Sequence, residues 1–163
     1  MTLDEFFATS IEPALAWLPP KMTSQAAMLQ MGTTALQESR LEHRRQMGNG
    51  PARSFYQMER TGMVLGLLKH PQAEVRSLAI AACNWRGVEP DSLAVWNAIE
   101  HDDVFASTLA RLGYWADPLP LPAVGQVDAA WLCYLRNWRP GKPHPETWPT
   151  YYAQTRAFMG LHG

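Results

Sequence analysis

Proline and glycine punctuate this chain so regularly that no helix in it can run long. Pro19-Pro20, Gly48-Asn49-Gly50-Pro51, the connector ADPLPLPAVG at 116–125 and RPGKPHPE at 139–146 cut it into pieces. Each break removes backbone donors or demands turn conformations that a helix interior cannot hold. Between the breaks the apolar residues recur at helical spacing. Thr2 with Glu5 has the form of a capping box, followed by Leu3, Phe6, Phe7 and Ile11. Pro13 is expected to bend that first helix. A second helix is expected from Thr23 or Ser24 to about Gln46, with Ala27, Met28, Met31, Thr34, Ala35, Leu36 and Leu41 on its apolar face.

Ser54 with Gln57 reads as another capping box, opening a helix through Met63, Leu67 and Leu68 to His70. Pro71 suits the first turn of the next helix. That helix, 74–85, is apolar on several faces (SLAIAAC) and is expected to be the central buried one. Shorter helices are expected at 91–100 and 103–114, then an amphipathic one in VDAAWLCYLRNW and a last one capped by Thr147. There is no internal repeat and no clear pair of alternating strands, though a short hairpin between Gln46 and Arg53 stays open. The expected fold class is mainly α, with little or no β-sheet.

With 163 residues, 47% of them hydrophobic and 18% charged, the chain can bury one sizeable core. It reads as a single domain, 1–163, with a proline- and aromatic-rich segment at 116–163 packing on it. A net charge of -1 and a pI near 6.5 argue against a surface built for nucleic acid. Cys83 and Cys133 read as buried thiols, no Cys/His set has zinc spacing, and neither metal nor cofactor is implied. The N-terminal MTLDEFFATS is acidic where a secretory signal would be basic, and no apolar run is long enough to span a bilayer. The expectation is synthesis in the cytoplasm, with any work elsewhere requiring delivery by another protein.

Glu38 approaches a helix end through Thr34, Ala35 and Leu36. A carboxyl in a partly apolar setting has its pKa raised, stays protonated near neutral pH and can donate a proton to a leaving oxygen. Three elements in order carry a resemblance: Glu38-Ser39, then Pro51-Ala52-Arg53-Ser54-Phe55-Tyr56-Gln57, then Ala81-Ala82-Cys83-Asn84 followed by Gly87-Val88. The stretch from Thr33 to about Val88 resembles the soluble lytic transglycosylases and goose-type lysozymes of the lysozyme-like superfamily. It departs from their pattern where Pro51 and Ser54 replace loop glycines and Cys83 replaces a tyrosine.

The resemblance implies a lysozyme-like helical fold and a peptidoglycan glycosidase that cleaves the bond between N-acetylmuramic acid and N-acetylglucosamine. Glu38 would be the single catalytic acid and base, closing a 1,6-anhydro ring. Ser39, Tyr56, Gln57 and Asn84 would bind substrate. A hydrolytic variant would need a second carboxylate, roughly 6.5–9.5 Å away for inversion or 5–5.5 Å for retention. Glu42 and Glu59 are near in sequence but read as surface charges. The partners implied are peptidoglycan glycan strands and other virion proteins, because the size and divergence suggest a phage product, virion-associated or lysis-related.

A different class of reading stands beside this one: a non-catalytic phage structural or assembly protein that keeps the scaffold as an interaction module. Ser54 and Gln57 are explained by capping alone. Asn84 can serve as a helix-end residue. Arg40, His43, Arg44, Arg45 and Arg53 form a basic cluster of the kind usually found on solvated faces. Trp131, Tyr134 and Trp138 recur at the spacing of a packed helix face.

Overall fold

The computed structural model describes residues 1–162. Among them the chain forms eight helices, 62% of its residues, and a two-strand hairpin, as the helical patterning predicts. The first helix, α1 (residues 3–17), opens on the Thr2–Glu5 capping box, with both reciprocal hydrogen bonds present. It widens into a π-helical turn at Phe7–Ile11 just ahead of Pro13. Proline cannot donate to the carbonyl four residues back, and the wider turn accommodates that loss. A 3-10 turn, Pro20–Met22, leads to α2 (Gln25–Ser39), whose N-cap Ser24 accepts from the Ala27 amide.

Helix α2 stops seven residues before the expected end at Gln46. Arg40 and Leu41 both turn left-handed, with φ of 54° and 58°. The reversal drops the Leu41 side chain into the core, where it is 2% exposed. Burial of a leucine on the order of 2 kcal/mol offsets the strain of leaving the helical basin. Next comes a hairpin, β1 (Ala52–Arg53) against β2 (Met58–Glu59), extended by a bridge between Arg45 and Arg53. The hairpin lies at and just beyond the span left open in the sequence.

Ser54 and Gln57 do not cap a helix. They begin and end the hairpin turn with φ of 73° and 52°, and the Gln57 side chain returns to the Ser54 carbonyl at 2.8 Å. The following helix, α3 (residues 60–68), instead starts in a π-helical turn, Arg60–Val64. Helices α4 (Ala73–Arg86), α5 (Ser92–Ile99), α6 (Asp103–Trp115), α7 (Val127–Trp138) and α8 (Trp148–Phe158) complete the chain.

The central helix is α6, not α4. Every residue from 105 to 114 is buried, whereas α4 buries Val75, Ala79, Ala82 and Cys83 and leaves Ile80, Ala81 and Asn84 exposed. The small side chains of SLAIAAC are apolar on several faces but provide too little surface to require burial all round. The main core joins Phe6, Ile11, Met31, Tyr56, Phe105 and Leu112. A second cluster, Leu29, Ala130, Tyr134, Trp148 and Tyr152, fastens α7 and α8 to α2. No helix is long and apolar enough to cross a membrane among the described residues.

Candidate functional site

Along α2 the polar residues Gln30, Thr34 and Glu38 follow one another at four-residue intervals, which puts them on one stripe of the helix. The stripe faces Tyr114 of α6 and the Ala130–Tyr134 turn of α7. Gln30 Nε2 donates to the Ala130 carbonyl at 3.0 Å and lies 3.3 Å from Tyr114 Oη. The Thr34 and Tyr114 hydroxyls are 2.6 Å apart, and Thr34 can also donate to the Gln30 carbonyl at 2.7 Å. Tyr134 Oη donates to Glu38 Oε1 at 2.6 Å.

Aromatic rings enclose this polar stripe. Tyr134 stacks on Trp148 with centroids 5.0 Å apart, and Tyr114 stacks on Trp138 at 4.6 Å. The loop before α8 is tied over the helix end, since Gln37 Nε2 donates to the His144 carbonyl and Gln37 Oε1 accepts from the Thr147 hydroxyl. Glu38 is therefore half-buried in an apolar frame. Burial pushes its carboxyl up to about 7, against the smaller opposing pulls of the Tyr134 hydrogen bond and the nearby His144. Desolvation wins because one phenolic donor replaces only part of a carboxylate's hydration. A carboxyl poised there can give up and take back a proton at neutral pH.

The other residues singled out in the sequence have different positions. Ser39, 1% exposed, is the last residue of α2, and its hydroxyl lies 2.7 Å from the Phe55 carbonyl and 2.9 Å from that of Ala35. It also accepts from the Leu41 amide, so it holds the hairpin turn to the helix end. Tyr56 is fully buried, with its hydroxyl 2.9 Å from Ser107 Oγ. Both side chains are committed to the fold and present nothing to a ligand.

Gln57 lines a cleft of about 610 Å³ between the hairpin–α3 segment and the end of α7, with His70, Asp117, Arg136, Trp138 and Arg139 among its walls. Trp138, in the cleft wall, donates from its indole nitrogen to the Tyr56 carbonyl at 2.8 Å. Glu38 does not line the cleft. It is linked to it through α7, where its partner Tyr134 precedes Trp138 by one turn. Asn84 lies apart, on the exposed face of α4, in a separate hollow with Ile80, Val88 and Pro90.

Glu42 and Glu59 are exposed, and Glu42 pairs loosely with Arg40 at 3.7 Å. The basic cluster is largely neutralised within the protein. Arg44 grips Asp103 through two hydrogen bonds, and Arg45 and Arg53 share Glu100. Among the described residues no group of three or more acidic, His or Cys side chains is placed to hold a metal ion. Sequence reading missed Tyr134 as the partner of Glu38 because 96 positions separate them. The available signal was its place in the Trp131–Tyr134–Trp138 stripe, which reads first as packing. Compared with protein-family models, curated proteins and solved structures, the chain matches none of them.

Proposed function

We propose that the protein is a peptidoglycan glycosidase of the lytic transglycosylase type, with Glu38 as its single acid and base. The observation that carries this reading is a carboxyl at a helix terminus, half-buried among aromatic rings, hydrogen-bonded by Tyr134 and held at about 7. In the protonated form it would donate to the glycosidic oxygen. As carboxylate it would then remove the proton from the muramic C6 hydroxyl, whose oxygen closes on the anomeric carbon, so no second carboxylate is needed. Gln57 and the groups around Trp138 in the adjoining cleft would bind the glycan. Asn84, Ser39 and Tyr56 drop out of the binding role on grounds of position and burial.

A second reading, the non-catalytic assembly module of a virion, is favoured by a specific observation: Tyr134 caps the one carboxylate oxygen for which a hydrogen bond is resolved, and the cleft wall does not include Glu38. Dye release from labelled peptidoglycan, followed from pH 5 to 9, separates the two. The enzyme reading expects release that declines tenfold per pH unit above about 7 and is abolished in Glu38→Gln. Binding to the polymer or to virion components without release by wild-type protein supports the module.

A further inference from the structure

Among the described residues, no carboxylate pairs with the buried cation of Arg111 on α6. Arg111 is 3% exposed. Its Nε donates to the Met22 carbonyl at 2.7 Å and its guanidinium lies 5.3 Å from the centre of the Trp115 ring. Among the described residues Nη1 is buried with no protein acceptor, and no acidic side chain pairs with the group. Burial lowers its pKa to about 10, which leaves it charged at neutral pH. Removing a guanidinium from water without an opposite charge is among the costlier arrangements in a folded chain. One carbonyl and an aromatic face return only part of that cost.

Arg111 lines an open hollow of about 500 Å³ together with Lys21, Ser24, Trp115, Asp117 and the Pro118–Leu121 wall. Two of the three charges there are already matched. Lys21 pairs with Glu74 at 2.6 Å, and Asp117 is held by Arg136 at 2.7 Å. The unmatched charge in the wall is Arg111. Ser24, the N-cap of the fifteen-residue α2, lines the same hollow, its hydroxyl accepting from the Ala27 amide.

We propose that this hollow is a binding site for an oxyanion, a phosphate or carboxylate group carried on a small molecule, with Arg111 as its counter-charge. With Nε given to the Met22 carbonyl and Nη1 sealed inside the protein, the guanidinium would meet such a group with its remaining edge and with its charge. The Pro118–Leu121 wall offers an apolar surface for the rest of the ligand. This hollow shares Asp117 and Pro118 with the cleft but is lined by neither Glu38 nor Gln57.

Isothermal titration with inorganic phosphate and with sodium acetate, each against chloride at matched ionic strength, tests the proposal on the full chain. Wild-type protein is expected to take up one phosphate or acetate saturably, and Arg111→Met to bind at least tenfold more weakly. Arg111→Met is also expected to be no less stable than wild type in chloride alone, because it removes an unpaired buried charge. Leu119→Glu provides a second variant at an exposed wall position, so folding is not at stake. Its carboxylate should occupy the counter-charge role and abolish binding. Wild-type protein that binds neither anion above the chloride control, or an Arg111→Met or Leu119→Glu protein that binds like wild type, overturns the proposal.

Discussion

The Glu38 carboxyl exchanges bulk water for one phenolic donor, and the exchange leaves it short of hydration. In the unfolded chain it would ionise near 4.5; in the folded protein it does so at about 7. Between those values the folded state binds more protons than the unfolded one. The contribution of this group to stability is therefore full below about 4.5 and falls as pH rises through about 7. Glu38→Gln keeps the acceptor for Tyr134 and removes the charge. Urea denaturation at pH 8 should show the variant about 2 kcal/mol more stable than wild type, allowing for partial exposure, with the difference vanishing near pH 4. Tyr134→Phe deletes the donor that favours the carboxylate, so the carboxyl should titrate still higher. Carbon NMR titration of the Glu38 side chain reads that shift directly, and a downward shift would contradict the account.

At the scale of elements, the close approach of α2 to its neighbours depends on one missing side chain. A Cβ added at Gly32 would come 2.8 Å from both Phe7 Cε2 and Thr155 Cγ2, atoms of α1 and α8. Alanine gains about 1 kcal/mol of helix propensity over glycine, but overpacking costs about 1–3 kcal/mol. Gly32→Ala should therefore lower the urea midpoint, despite the better helix former. Ser39→Ala removes the hydroxyl that joins α2 to the Phe55 turn and is expected to cost about 1–2 kcal/mol. Its hydrogen-exchange signature should be faster exchange in the hairpin.

The helices themselves were legible because proline and glycine mark their ends and apolar period marks their faces. The exceptions have local physical causes. Leu41 ends α2 early because tertiary burial outweighs a helical continuation that local pattern favours. Ser54-x-x-Gln57 satisfies the letter of a capping box, yet the Ser54 amide is bonded to the Arg44 carbonyl at 2.7 Å, and that long-range pairing makes the segment a hairpin turn. Glu38 was legible as a candidate from its apolar approach to a helix end. Its partner Tyr134, the ion-paired state of the arginines and the unmatched Arg111 were not, because each depends on contacts between distant segments.

Across the whole molecule, the C-terminal aromatic segment packs against Tyr134, the partner of Glu38. Trp148 is 1% exposed, stacks on Tyr134 and donates to the Val127 carbonyl at 3.2 Å. Trp148→Ala should cost about 3–5 kcal/mol in a denaturant titration. The same change should bring the Glu38 carboxyl back toward the usual carboxylate range, because water would reach it.

That coupling between packing and proton transfer matters only if the carboxyl works on a glycan. The most direct measurement is mass spectrometry of the products after purified peptidoglycan is digested with wild-type protein and with Glu38→Gln. The account predicts 1,6-anhydro-muropeptides from the wild type and none from the variant. Intact polymer after wild-type digestion, or anhydro products undiminished in Glu38→Gln, would contradict it.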